Sequence, residues 1–362
     1  MLRLMPPVIP PSLIEPCNPG PCGRANHRAL PADASFPHSS TISLWLLLVC
    51  LFCLSSGREP TWALSPSASA PTDTSTGTLS GHELLRIGEI HDHQRHFIET
   101  LTYYQLALSR FREKKQPRGI ATALVKIARV YERQGKLQEA YTSLEAALPI
   151  LARSPDKAAH AGALLIKGRV TLRLGQRDEA HDTLSQAITL FTRVKDSRGW
   201  NEALVQLGLL QVDEGQADTG LASLEQARQD ARTRHDVEQQ LMALLSLGDA
   251  HWLLDHTTDA RADYGEGLRL AEAEHHLPFE AKLRLRLAQL DSADGQLSEG
   301  IVLGRRALLL SQTLRDQDAE AAAWSLLADL YRKTEQEHEA EEADKRALAI
   351  YRTREIVVHG TR

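Results

Sequence analysis

ATALVKIARVYERQGKLQEAYTSLEAALPILAR, residues 121–153, holds two helices and the break between them. Leu124, Ile127, Val130 and Tyr131, then Leu137, Ala140, Leu144, Ala147 and Leu148, recur at spacings of three and four, which gives each helix one apolar face. Gly135 falls between the two sets, where a helix ends in a left-handed residue that glycine adopts without steric cost. The stretch reads as a helical hairpin, and one hairpin cannot bury its apolar faces alone.

The hairpin returns along the chain. Ala107, Ala147, Ala187, Ala227, Gly267, Ala307 and Ala347 are spaced at forty without a slip, and a second small column runs through Gly88, Ala128, Gly168, Gly208, Gly248, Ala288 and Ala328. A third runs through Thr100, Ala140, Ala180, Gly220, Ala260, Gly300 and Ala340. Small residues in register let helix backbones approach closely, and the large apolar residues beside them fill the space. Seven units follow, 81–120, 121–160, 161–200, 201–240, 241–280, 281–320 and 321–360. Gly175, Gly215 and Gly295 repeat the Gly135 turn; Ser80 with Glu83 and Asp236 with Gln239 have capping-box spacing, and Pro155 and Pro278 suit first helical turns. No strand pattern is found, so the expected fold is all-α, fourteen helices in seven hairpins stacked as a solenoid. Arg284 and Gly304 stand where apolar residues are expected and predict a loosely packed sixth unit; Asp344 suits a terminal helix with one wet face.

These columns resemble the tetratricopeptide repeat, in which an aromatic or Leu, Leu-Gly and Tyr mark the first helix and Ala, an aromatic or Leu, and Ala mark the second. In the fifth unit they are Leu244, Leu247, Gly248, His251, Ala260, Tyr264 and Gly267, and in the last Trp324, Leu327, Ala328, Tyr331, Ala340, Asp344 and Ala347. The period of forty departs from the family's usual period of about thirty-four and matches its long-period bacterial subclass. The resemblance implies a right-handed superhelical solenoid whose first helices line a concave surface that binds a protein or peptide. On that surface the side chains not spent on packing are Thr122, Val125, Arg129, Glu132 and Arg133, then Leu165, Arg169, Leu172 and Arg173, then Val205, Leu209, Val212 and Asp213, then Met242, Leu245, Asp249 and Trp252. Arg129, Arg133, Arg169 and Arg173 should cluster over two adjacent helices beside an apolar floor of Leu172, Leu209, Val212, Leu245 and Trp252, with Asp249 nearby, to take carboxylates and one apolar anchor. The competing reading pairs Arg129 and Arg133 with Glu132, Glu89 or Asp92 on a solvated face. No asparagine stands in these columns, so the family's carboxylate clamp is not carried over.

The net charge of −5 gives no pull toward nucleic acid. No phosphate loop, Rossmann glycine pattern, GxSxG elbow or HExxH motif is present, so the expectation is a non-enzymatic scaffold without cofactor or metal. The alternative is a regulatory or sensor region of a split or truncated signalling or peptidase system, and homo-oligomerisation is open to such an array. The segment HDHQRH, residues 91–96, is dense in potential metal ligands. In register it is a helix end and turn, His91 in the Tyr131 column and Arg95 in the Gly135 column. On a continuing helix His91 and His93 would point about 200° apart, leaving only His93 and His96 on one face. A left-handed Arg95 would cost about 1 kcal/mol, as in an irregular capping repeat.

Nine of the sixteen prolines fall in residues 1–40, which predicts a disordered segment; a start site chosen too far upstream would give the same picture. The run SLWLLLVCLFCL at 43–54 is short for a bilayer span and suits a secretory signal within 41–63, cleaved after Gly57 or Ala63, with an uncleaved inner-membrane anchor as the alternative. The expected location is thus periplasmic or secreted, with membrane contact only through that run. All four cysteines, Cys17, Cys22, Cys50 and Cys53, precede residue 54, so nothing after it can form a disulfide. Residues 64–80 read as a flexible linker.

Overall fold

The structure, a computed structural model, describes residues 79–359, with side chains as far as residue 352. The proline-rich segment, the apolar run at 43–54 and the linker as far as residue 78 lie outside the described residues. The regular structure described is helical throughout: α1 (Gly81–His93), α2 (Phe97–Glu113), α3 (Pro117–Arg133), α4 (Leu137–Arg153), α5 (Lys157–Arg173), α6 (Arg177–Val194), α7 (Ser197–Asp213), α8 (Ala217–Thr233), α9 (Val237–Leu253), α10 (Thr257–Ala273), α11 (Leu277–Asp294), α12 (Leu297–Leu314), α13 (Gln317–Lys333) and α14 (Glu337–His359). They pair as seven hairpins. From α3 to α13 the first helix of each begins forty residues after the last, as the alanine columns require.

Packing follows the columns. Ala107, Ala147, Ala187 and Ala227 have no exposed surface, and neither do Leu144, Leu184, Leu224 and Tyr264, which occupy one register position in hairpins two to five. Each such Leu removes enough apolar area from water to contribute about 1.5–3 kcal/mol. Gly248 shows why the facing column is small: a Cβ there would overlap the Tyr264 ring. Each helix packs against its neighbours in sequence. The backbone of every odd-numbered helix also comes close to that of the next odd-numbered one, whereas the even-numbered helices meet only through side chains, as Tyr141 of α4 with Glu179 of α6 at 2.9 Å. The odd helices are therefore crowded together on the inner side of the curve, which makes α3, α5, α7 and α9 its concave wall.

The turns are more uniform than the sequence suggests. Gly135, Gly175, Gly215 and Gly295 have φ of 75°, 76°, 83° and 78°, yet Arg95, Asp255 and Glu335 hold the same left-handed position at 59°, 66° and 59°. The Arg95 turn closes through Arg95 N to Asp92 O at 3.0 Å and His96 N to His91 O at 2.9 Å, just as Gly135 and Lys136 close the next. The first hairpin is thus a regular repeat, correcting the expectation of an irregular cap. Because the turn brings together the residues flanking it, His91 and His96 meet, ring centroids 6.0 Å apart, not His93 and His96.

Helix starts follow the expected chemistry in part. Ser80 and Glu83 form a reciprocal capping box, and Asp156, Asp196, Asp236 and Asp316 each accept a backbone N–H three residues on. Pro278 lies in the first turn of α11. Pro155 instead precedes the Asp156 cap, and Pro117 opens α3. The sixth hairpin is not loose. Arg284 is held by Glu280 and, at 2.7 Å, by Glu272, while the side chain of Leu327 from α13 fills the space over Gly304. Asp344 lies exposed on α14 and pairs with Arg332 at 2.7 Å.

Candidate functional site

Three inner helices enclose an open cavity of about 560 Å³. Its rim carries Arg129 and Arg133 from α3, Arg169 and Arg173 from α5 and Arg198 from α7, facing the carboxylates of Glu132, Asp196 and Glu202. Its bottom is Ala158, Gly162, Leu165 and Ile166 of α5, with Phe191 of α6 at the edge. This size is in the range of pockets that enclose small ligands or peptide side chains. All four arginines singled out in the sequence line this one cavity.

Most of these cations already have partners. Arg169 grips Glu132 through two hydrogen bonds of 2.8 and 2.9 Å and also pairs with Glu202. Burial alone would lower its pKa, but the two carboxylates outweigh that and raise it, so its charge is fixed. Arg173 donates to the Glu132 carbonyl at 2.8 Å. Arg133 pairs with Asp92 and lies 5.3 Å over the Phe97 ring, while Arg198 pairs with Glu238 of the next inner helix. Pairing of this kind runs from hairpin to hairpin and fixes the arginine heads as a frame. Arg129 differs: it is exposed, and among the described residues no carboxylate pairs with it.

The apolar floor lies elsewhere than expected. Val212 is 3% exposed, in the core between α7 and α8, where its side chain fills the space over Gly220. Leu172, Leu209, Leu245 and Trp252 are half-buried and packed against neighbouring core clusters, so their area is largely spent on the solenoid itself. Asp249 accepts hydrogen bonds from Tyr264 at 2.6 Å and Arg286 at 2.7 Å, tying α9 to α10 and α11. None of these six lines the cavity. Sequence reading missed Gly162, Arg198 and Glu202. Gly162 and Glu202 share the column of Thr122, which was followed in the second unit only; continued by forties it reaches both.

Gly162 shapes the cavity. It sits in the middle of α5, where glycine costs about 1 kcal/mol relative to alanine. Close packing does not require it, because a Cβ there would meet nothing within 4 Å. The space that its missing side chain leaves belongs to the cavity, ringed by arginine.

Residues 119–193 match the tetratricopeptide repeat family. No curated protein matches the sequence. Three similar solved structures are a Rap protein complexed with Competence and Sporulation Factor (17% identity, 79% of this chain and 78% of that one, TM-score 0.60), aspartyl phosphate phosphatase F from Bacillus subtilis (13%, 76% and 71%, 0.60), and the Rap conjugation gene regulator of plasmid pLS20 in complex with a Phr peptide (14%, 90% and 88%, 0.57). At these identities the likeness is one of fold. The family match over residues 119–193, the unbroken forty-residue register and the stacked hairpins agree on an array of tetratricopeptide-like repeats with a long period.

Proposed function

We propose that the array is a non-enzymatic interaction scaffold whose inner surface, at hairpins two to four, takes an acidic segment of a partner protein with an apolar side chain seated over Gly162. The observation that carries this is the hollow itself: a mid-helix glycine that packing does not require, opening an apolar-bottomed space among fixed guanidinium groups. Arg129, which pairs with no carboxylate among the described residues, supplies the charge for the ligand. The similarly folded Rap regulator in complex with a peptide supports a peptide ligand. The second reading, an array that regulates a catalytic partner, is supported by the regulator and phosphatase neighbours and uses the same surface. The apolar run at 43–54 supports a place outside the cytoplasm or at the inner membrane; a reporter fused after Ala63 that stays in the cytoplasm would refute it.

The groove is tested by selecting a displayed peptide library on the full chain. Selected sequences should carry carboxylates flanking one apolar residue. Gly162→Leu should fill the hollow and remove binding, and Arg129→Glu should weaken it about tenfold or more. Equal retention of the selected peptides by the wild type and both variants would sink the reading.

A further inference from the structure

The fifth hairpin holds a second constellation of side chains, made by its turn. Asp255 takes the left-handed position, His256 N donates to His251 O at 2.9 Å, and this closure brings the last turn of α9 onto the entry to α10. A turn of this type sets the residue three from a helix end beside the second residue past it. Both are histidines here, ring centroids 6.1 Å apart. Asp259, three residues into the next stretch of chain, joins them. One ligand atom from each of His251, His256 and Asp259 lies within 4.8 Å of the others.

A further carboxylate orients the set. His251 Nδ1 lies 2.7 Å from Asp263, one turn along α10 from Asp259. With Nδ1–H donated to that carboxylate, the lone pair is on Nε2, the arrangement in which carboxylate-backed histidines hold metals.

The first hairpin is an internal comparison. His91, His96 and Glu99 occupy the same register positions, and their turn closes the same way. There, however, Tyr103 stands in the Asp263 position and stacks on His91 at 5.2 Å, and among the described residues no trio of ligand atoms converges. The turn alone therefore explains a pair of neighbouring histidines. Convergence with Asp259 and the backing of Asp263 belong to hairpin five.

We propose that the fifth hairpin turn binds a divalent first-row transition metal of the zinc class through His251, His256 and Asp259, with Asp263 as a positioning residue. Two imidazoles and one carboxylate suit zinc, which takes four ligands and can complete its shell with water. Calcium and magnesium prefer all-oxygen sites. His256 and Asp259 are exposed, so the ion has free access. Binding links α9 to α10 and stabilises the folded hairpin by mass action.

The test is calorimetric titration of zinc into the full chain with Cys17, Cys22, Cys50 and Cys53 replaced by serine, which removes thiolate binding. One saturable zinc per chain is expected. His251→Ala and His256→Ala should abolish it, and Asp259→Asn should weaken it about tenfold or more. Asp263→Ala should weaken it about tenfold at unchanged stoichiometry, with recovery in Asp263→Glu. His91→Ala and His96→Ala should change nothing. Absence of saturable uptake, uptake that survives His256→Ala and Asp259→Asn, or uptake lost on His91→Ala would each overturn the proposal.

Discussion

Two glycines in equivalent helices have opposite reasons to be there. At Gly248 the Tyr264 ring takes the place of a side chain, so Gly248→Ala forces a clash and should lower stability by about 1–3 kcal/mol. At Gly162 the neighbouring space is empty, so Gly162→Ala should raise stability by up to about 1 kcal/mol. Urea unfolding of both variants checks the signs. A comparable contrast separates two arginines. The Glu132 side chain, 9% exposed, has its carboxylate gripped by Arg169, and Arg169→Met would leave that charge buried without its main partner. The loss should be about 3 kcal/mol, whereas Arg129→Met, at an exposed position, should stay within about 0.5 kcal/mol. The four arginines were legible in the sequence because they repeat by forties. The hollow was not, because a glycine in a helical pattern does not say whether a neighbour fills its space.

The recurring element is the hairpin with its left-handed turn. Arg95, Asp255 and Glu335 adopt φ values that glycine adopts freely, each at a cost of about 1 kcal/mol. Arg95→Gly and Glu335→Gly should therefore each raise the urea midpoint, by about 0.5–1 kcal/mol in free energy. A fall in stability on Arg95→Gly would show that the ion pair of Arg95 with Asp316, at 4.0 Å, outweighs the relief of the turn. Helix number and register were legible in the alanine columns, since period and small size together report helices packed at short range. The fate of Val212 was not: the same column position can face the groove or the next helix, and the local tilt decides. For Arg284 and Gly304 the compensation comes from other helices, Glu272 on α10 and Leu327 on α13, which no inspection of the sixth unit alone could supply.

Across the whole array, stability is shared by neighbours, and it should fail at high pH. Burial, with the charge of Glu89, pushes the Tyr104 phenol up from 10.0 to about 12, and burial next to Asp249 pushes Tyr264 up further. The folded chain holds these protons more tightly than the unfolded one. The stability they represent is intact below about pH 10 and lost as pH rises through 12. The urea midpoint should fall across that window, less steeply in Tyr104→Phe; a flat profile would refute the assignment. Because Tyr104 lies in hairpin one and Tyr264 in hairpin five, the loss should spread along the array by stages instead of in one cooperative step.

The constant spacing of the inner helices makes each hairpin a cassette. Residues 157–196 begin and end at equivalent points of successive turns, so a tandem copy of them would splice into the same neighbours on either side. That insertion would duplicate Gly162 and its flanking arginines one helix further along the wall. A protein with one recess would become a protein with two, set at the repeat distance, and would favour ligands in which the acidic and apolar pattern itself recurs.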